Sequence, residues 1–126
     1  MTEQEKKELQ ERVKSVIERV NNAAVQAGRD PSEITLVAAT KMNDAERVQA
    51  AIEAGIRVCG ENRVQELQEK YEQNAYDGAD LQFIGTPQTN KVKYLIGKVS
   101  LIQSVGSVHL GEAIAKEAEK RGVCQD

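Results

Sequence analysis

The sequence predicts an α/β protein in which a long helix precedes four strand–helix units that form a parallel sheet. Three observations lead to this prediction. Apolar residues recur at helical spacing over residues 2–27, four short apolar runs then alternate with helical stretches, and each run ends in small or polar residues. Strict alternation of strands and helices implies parallel strands joined by right-handed crossovers. The pattern fits either an open doubly wound sheet or half of a (β/α)₈ barrel, which usually has about 250 residues.

The first helix is predicted over residues 2–27. Thr2 and Glu5 have the spacing of a capping box, and Gly28 is a helix stop signal. The apolar stripe between them comprises Leu9, Val13, Val16, Ile17, Val20, Ala23 and Ala24. A single stripe of this kind is typical of a helix that packs against a domain along one side.

The first strand–helix unit is predicted over residues 34–55. The run from Ile34 to Lys41 is rich in β-branched residues and follows a turn signal at residues 30–32. Both faces of this run are apolar or small, which is typical of a parallel strand buried on two sides. Asp44 then begins a helix that Gly55 stops.

Three further units are predicted over residues 56–74, 81–98 and 100–122. Their strands are the apolar runs Ile56–Cys59, Leu81–Ile84 and Leu101–Gln103. Helical spacing of apolar residues follows each strand, with a short helix around Val92–Ile96 and a last helix that Ser107 can cap. Val123-Cys124 resembles the beginning of another strand, and residues 1–126 are predicted to form a single domain.

Composition and charge exclude several classes of function. The 126 residues are enough for one domain with a hydrophobic core. The net charge is −3, and positively and negatively charged residues are interspersed along the chain. No basic face of the kind that binds nucleic acid is present. No run reaches membrane-spanning length, and the charged N-terminus lacks the apolar centre of a secretory signal. Cys59 and Cys124 have no metal-site spacing and are typical of free thiols, which predicts a cytoplasmic protein without a metal.

The ends of the four predicted strands carry the candidate site residues. The carboxyl ends of parallel strands meet at one edge of a sheet, where ligands collect. Lys41 ends the first strand, and a lysine in partly apolar surroundings can act as a nucleophilic amine. The alternative is a solvated lysine that pairs with Asp44. The other strand ends, Gly60-Glu61-Asn62, Gly85-Thr86 and Ser104, can also be plain turns.

Four segments, in order along the chain, resemble the pyridoxal-phosphate homeostasis proteins, which are similar to the N-terminal barrel of alanine racemase. The segments are Leu36–Lys41, Gly60–Glu66, Phe83–Gly85 together with Gln88–Lys91, and Ile102–Val105, whereas Thr86-Pro87 departs from the family pattern. The resemblance implies a fold-type III barrel that binds pyridoxal 5'-phosphate (PLP). It implies that Lys41 forms a Schiff base with the aldehyde of PLP and that the loop with Asn62 lies beside the cofactor.

The predicted PLP-binding residues are Lys41, Asn62, Gly85, Thr86 and Ser104. Asn62 can hydrogen-bond the ring substituents of the cofactor or cap the following helix. Gly85 and Thr86 can let the backbone approach a ligand, and Ser104 is a candidate ligand contact of the same kind. Each of the three can instead be a simple turn residue. No residue is assigned a catalytic role or a metal-binding role.

The chain departs from the family pattern mainly in its length. Family members are about twice as long, and their second half supplies the loops that hold the PLP phosphate and the arginine that faces the pyridine nitrogen. The chain therefore resembles the first half of the family barrel, as a natural or an engineered fragment. Half a barrel has two open sheet edges, so a homodimer that covers them is predicted. The alternative is an open sheet whose long first helix covers one exposed surface.

The predicted function is PLP binding for cofactor homeostasis, without turnover of a substrate. One alternative is a folded half-barrel that binds no ligand. A second alternative is a PLP-dependent amino-acid racemase, which needs acid and base groups on both faces of the imine. Lys41 could serve one face, but the partner group in racemases comes from a second domain.

Overall fold

A computed structural model describes residues 1–126 as a mixed α/β structure. The α-helices are α1 (Glu3–Gln26), α2 (Ala45–Glu53), α3 (Val64–Glu72) and α4 (Val108–Arg121), and the strands are β1 (Val37–Ala39), β2 (Val58–Glu61), β3 (Asp80–Phe83) and β4 (Leu101–Ile102). Two 3₁₀ helices span Pro31–Glu33 and Thr89–Tyr94. None of the helices is long and apolar enough to span a lipid bilayer.

The four strands form one parallel sheet in the order β1-β2-β3-β4, so each strand lies beside the next one along the chain. Val37 is opposite Val58, and Gln82 is opposite Leu101. The predicted alternation of strands and helices and the predicted parallel sheet are confirmed. Strands β1 and β4 each have one partner strand, so the outer backbone groups of both strands have no neighbouring strand to pair with.

Helix α1 begins at the predicted cap, where Thr2 Oγ1 accepts a hydrogen bond from the backbone N–H of Glu5 at 3.1 Å. The helix lies beside α2, and the side-chain amide of Gln10 donates to the carbonyl oxygen of Ala50 at 3.0 Å. Val13, from the predicted apolar stripe, packs against the core. Helix α1 therefore joins the layer of helices that covers one face of the sheet.

The two faces of the sheet have different surroundings. Residues that point toward the helices are buried in the apolar core, and they include Cys59, Leu81, Phe83 and Ile102. On the opposite face, a Cβ atom at Gly60 would lie 2.9 Å from both Val37 Cγ1 and Ile84 Cγ2. Glycine at this position lets those two side chains approach each other across β2. Val37 and Ile84 are only half-buried, so this second face, the inner face, is partly open to solvent.

The first strand is shorter than the predicted run from Ile34 to Lys41. Strand β1 ends at Ala39, and Lys41 lies in a turn. The ladder continues for one more hydrogen bond, from the Thr40 N–H to the Gly60 carbonyl oxygen at 3.0 Å. The chain then leaves the sheet, because Met42 adopts a left-handed backbone conformation with a φ of 63°.

Two other predicted elements differ from the structure. The segment predicted as a short fourth helix is the 3₁₀ helix Thr89–Tyr94, and Gly97, with a φ of 85°, turns the chain soon after it. Such short helical segments commonly adopt 3₁₀ geometry. The strand expected to begin at Val123 does not form. One backbone hydrogen bond connects Ile102 N–H to the Asp126 oxygen at 2.9 Å, and a single bond is too little for a strand.

Candidate functional site

The carboxyl edge of the sheet carries an unpaired amine. Lys41 lies in the turn after β1, its side chain is exposed, and its Nζ has neither a hydrogen bond nor an ion pair. Asp44 instead accepts from Arg47 Nη1 at 2.6 Å and from the Arg47 backbone N–H at 2.9 Å. The alternative pairing of Lys41 with Asp44 is therefore wrong. The expected apolar surroundings of Lys41 are also wrong for this chain, because the turn carries the side chain into solvent.

The ends of β2 and β3 are in close contact. A Cβ atom at Gly85 would lie 2.8 Å from the carbonyl oxygen of Asn62 and 3.3 Å from its Cα. Asn62 does not cap helix α3, because the N-cap position is Arg63, which makes no side-chain cap bond. The interpretation of Asn62 as a helix cap is therefore wrong. Its side chain is exposed at the carboxyl edge of the sheet.

Replacing Gly85 by alanine should destabilise the fold, because backbone atoms of Asn62 occupy the space that the new methyl group needs. We expect a loss of about 1–3 kcal/mol in the free energy of unfolding, measured with urea. Gly106 is the matched control, since nothing lies within 4 Å of a Cβ placed there. Equal losses for Gly85→Ala and Gly106→Ala would contradict the close contact.

A cleft of about 470 Å³ opens beside α3 and the second 3₁₀ helix. Asn62 and Thr86 line it, together with the positively charged Arg63 and Lys91. The structure thus brings three of the predicted site residues together at neighbouring strand ends: Asn62 and Thr86 line the cleft, and Gly85 contacts the backbone of Asn62. The other predicted residues, Lys41, Gly85 and Ser104, do not line this cleft.

A buried polar cluster that sequence reasoning missed lies behind the carboxyl edge. Lys70 on α3 and Glu61 at the end of β2 are 6% and 0% exposed, and Lys70 Nζ lies 2.9 Å from Glu61 Oε2. Tyr76 donates its hydroxyl hydrogen to the same oxygen. Lys70 Nζ also lies 2.8 Å from Glu66 Oε1. The separation of four residues between Glu66 and Lys70 on one helix is the only sequence signal for this cluster.

Burial and contacts with charged neighbours determine the protonation of Tyr76, Cys59 and Glu66. Burial first, and then the hydrogen bond to Glu61, raise the pKa of Tyr76 far above its ordinary value. Burial first, and then the Glu61 charge, raise the pKa of Cys59 to about 11. The hydrogen bond from Lys70 is the largest of the effects that hold the pKa of Glu66 below its ordinary value. At neutral pH, Tyr76 is therefore a phenol, Cys59 is a thiol and Glu66 is charged.

We expect a maleimide to label the folded chain once, at Cys124. The thiolate is the reactive form of cysteine, and Cys59 is buried with a pKa raised to about 11, whereas Cys124 is exposed. Intact-mass measurement at neutral pH would count the labels, and unfolding in urea should release the second site. Two labels on the folded chain would contradict the burial of Cys59.

Comparison with known proteins identifies the relatives of this chain. No protein-family model matches it. A pyridoxal phosphate homeostasis protein of Aquifex aeolicus is 44% identical over 118 residues, which make up 92% of this chain and 51% of that protein. The chain is homologous to the pyridoxal phosphate homeostasis proteins. A homeostasis protein of Deinococcus radiodurans is 37% identical over 111 residues, which make up 87% of this chain and 52% of the relative. The chain spans about half the length of the curated relatives it matches.

Solved structures agree with this relationship. A crystal structure described as an unknown protein from Bifidobacterium adolescentis is 34% identical, with a TM-score of 0.91 over 99% of this chain and 55% of that chain. PipY of Synechococcus elongatus, solved with PLP bound, is 30% identical, with a TM-score of 0.68 over 82% of this chain and 49% of PipY. The mixed α/β architecture of this homeostasis-protein homologue therefore matches that of PipY.

Proposed function

We propose that this chain is part of a PLP carrier of the homeostasis type, in which Lys41 binds the cofactor covalently and no substrate is turned over. The observation that carries the proposal is the Lys41 amine, which lies at the carboxyl edge of the sheet without a partner. The likeness to PipY, which was solved with PLP bound, and to the named homeostasis proteins supports it.

The residues of the chain fit the aldehyde end of PLP. The Lys41 side chain is exposed and bound to nothing, so an aldehyde can reach its nitrogen. Asn62 and Thr86 supply polar side chains at the neighbouring strand ends, and Arg63 and Lys91 add positive charge beside them. Positive charge attracts the anionic phosphate of the cofactor. We also include Gly85 and Ser104 in the proposed site, because they follow the carboxyl ends of β3 and β4.

In the proposed carrier, the cofactor supplies the aldehyde and the chain supplies the amine. PLP, when bound, supplies an aldehyde carbon that condenses with a neutral primary amine and releases one water molecule. The chain has to present the Lys41 amine where the aldehyde can reach it, and the exposed Lys41 side chain meets this need. Asn62 and Thr86 can donate hydrogen bonds to polar groups of the cofactor.

An absorbance titration tests the proposal. PLP added to the chain should produce a new visible band that saturates at one cofactor per chain. Pyridoxine phosphate, which carries an alcohol in place of the aldehyde, should produce no band and is the matched control. A chain that stays folded and gives no band with PLP would contradict the proposal, and racemisation of an added L-amino acid would contradict the absence of turnover.

We further propose that residues 1–126 form a single domain equivalent to the first half of a fold-type III PLP barrel. Four parallel strands in consecutive order, within about half the length of the relatives, support this architecture. An eight-stranded barrel of this type is built from eight such units. The two free cysteines support a cytoplasmic location for the protein.

We also propose that two copies associate and cover the open sheet edges. Strands β1 and β4 each have one partner, and Val37 on the inner face is only half-buried. Sedimentation should therefore give the mass of a dimer at micromolar concentration, and Val37→Lys should shift it toward the monomer. Val25→Lys, at an exposed position of α1, is the control and should leave the dimer intact. A folded monomer at high micromolar concentration would contradict the dimer.

A further inference from the structure

Both peptide groups that flank Lys41 are bound to side chains of helix α3. Lys70 Nζ donates to the carbonyl oxygen of Thr40 at 2.6 Å, on the amino side of Lys41. The backbone N–H of Met42, on the carboxyl side, donates to Glu66 Oε1 at 2.5 Å. Because the Thr40 carbonyl and the Met42 N–H belong to the two peptide planes that meet at the Lys41 Cα, these bonds restrict both backbone torsions of Lys41.

The two side chains that make these bonds are themselves fixed. Lys70 Nζ lies 2.8 Å from Glu66 Oε1 and 2.9 Å from Glu61 Oε2, so its three N–H groups have three acceptors, including the Thr40 oxygen. Glu61 is fully buried and also accepts a hydrogen bond from Tyr76. The Lys70 ammonium is therefore held by three acceptors, which restricts the direction of its hydrogen bond to the Thr40 carbonyl oxygen.

Stability alone does not explain why Glu61, Glu66 and Lys70 form a buried ionic cluster at this turn. Burying an ion pair costs desolvation energy, and an apolar pair of similar volume is often as stable or more stable. Met42 adopts a left-handed conformation with a φ of 63°, which is unfavourable for a residue with a side chain. Both features meet at the turn that carries Lys41. The Lys41 side chain is left without a partner, so the contacts hold its backbone and leave the amine free.

We propose that Glu66 and Lys70 are positioning residues, which fix the backbone of Lys41 so that its amine meets the PLP aldehyde in a reactive orientation. This role rests on the proposed function. The amine lone pair forms the new bond to the aldehyde carbon, and the carbonyl oxygen leaves as water with protons from the amine. Glu66 and Lys70 exchange no proton in this step, because their effect is on geometry.

The rate of capture tests this role. The rate constant for the PLP-dependent visible band should fall roughly tenfold to a hundredfold in Glu66→Ala, since small misplacements of a reacting group have effects of that size. Glu66→Gln should restore most of the rate, because the amide oxygen can still accept from Met42. Glu69→Ala, at an exposed position on the same helix, is the control and should match the unaltered chain. Hydrogen exchange at the Met42 amide should be faster in Glu66→Ala only.

Each outcome separates the positioning role from the proposed function. If the unaltered chain captures PLP and Glu66→Ala captures it equally fast, the positioning role is overturned and the carrier function stands. If Glu66→Gln is as slow as Glu66→Ala, the hydrogen bond to Met42 is not the cause, and the role is again overturned. If the unaltered chain forms no band at all, both are overturned. The double variant Lys70→Met with Glu61→Gln removes the Thr40 contact without leaving Glu61 charged, and it should also be slow.

Discussion

Replacing Lys41 by alanine is expected to abolish the visible band that PLP produces with the unaltered chain. The Lys41 nitrogen is the atom that forms the covalent bond in the proposed carrier, so the result is a loss of the band and not a weaker band. Stability should change by less than about 0.5 kcal/mol, because Lys41 is exposed and has no partner. The absorbance titration and urea unfolding of the same sample measure both effects.

A second lysine serves as the control for this substitution. Lys93 is exposed, and its Nζ lies 5.2 Å from the centre of the Tyr94 ring. Lys93→Ala should keep the full band, because Lys93 does not line the cleft that Asn62 and Thr86 share. An unchanged band in Lys41→Ala would show that PLP reacts with another amine, and the assignment of Lys41 would then be wrong.

Replacing Lys70 by methionine is expected to destabilise the fold by about 3–5 kcal/mol, the range observed when one member of a buried ion pair is removed. Methionine keeps an unbranched apolar side chain that is one heavy atom shorter than lysine and carries no charge. It leaves the fully buried Glu61 carboxylate without its positive partner, and the Glu61 Oε1 atom already has no hydrogen bond. Urea unfolding of the two chains gives the difference directly.

The acid side of the stability curve provides an independent check on Lys70→Met. The hydrogen bond from Lys70 holds the pKa of Glu66 below its ordinary value of 4.5. A carboxyl group of this kind contributes stability that is present above its unfolded pKa and lost as the pH falls through the lowered folded pKa. The unaltered chain should therefore lose stability in this window, and Lys70→Met should lose less there. Identical acid profiles would contradict the Glu66–Lys70 pair.

The sequence predicts the layout of the fold because its signals are local and repeated. Thr2 has the spacing of a capping box, and the structure shows the bond from Glu5 that this spacing implies. Four apolar runs that alternate with helical stretches allow few arrangements other than a parallel sheet. The meeting of Asn62 and Thr86 was also predictable, because neighbouring parallel strands end at the same edge.

The remaining features depend on contacts between distant parts of the chain. Lys70 has the sequence environment of a solvated helix residue, and only the packing of α3 on β2 makes it a buried partner of Glu61. The turn at Lys41 depends on Met42 and on its bond to Glu66, which lies 24 residues away. Ser104 and Lys41 both follow the carboxyl ends of strands, but they lie apart because β4 and β1 are the two outer strands of the sheet. No sequence pattern predicts these long-range contacts.

Identification of the modified residue tests the covalent role of Lys41 most directly. The unaltered chain would be mixed with one equivalent of PLP, reduced with borohydride, digested and analysed by mass spectrometry. The proposed carrier predicts that the reduced cofactor is attached to the peptide that contains Lys41, with the other lysines unmodified. Label spread over exposed lysines such as Lys91 and Lys93, or absent from Lys41, would contradict it.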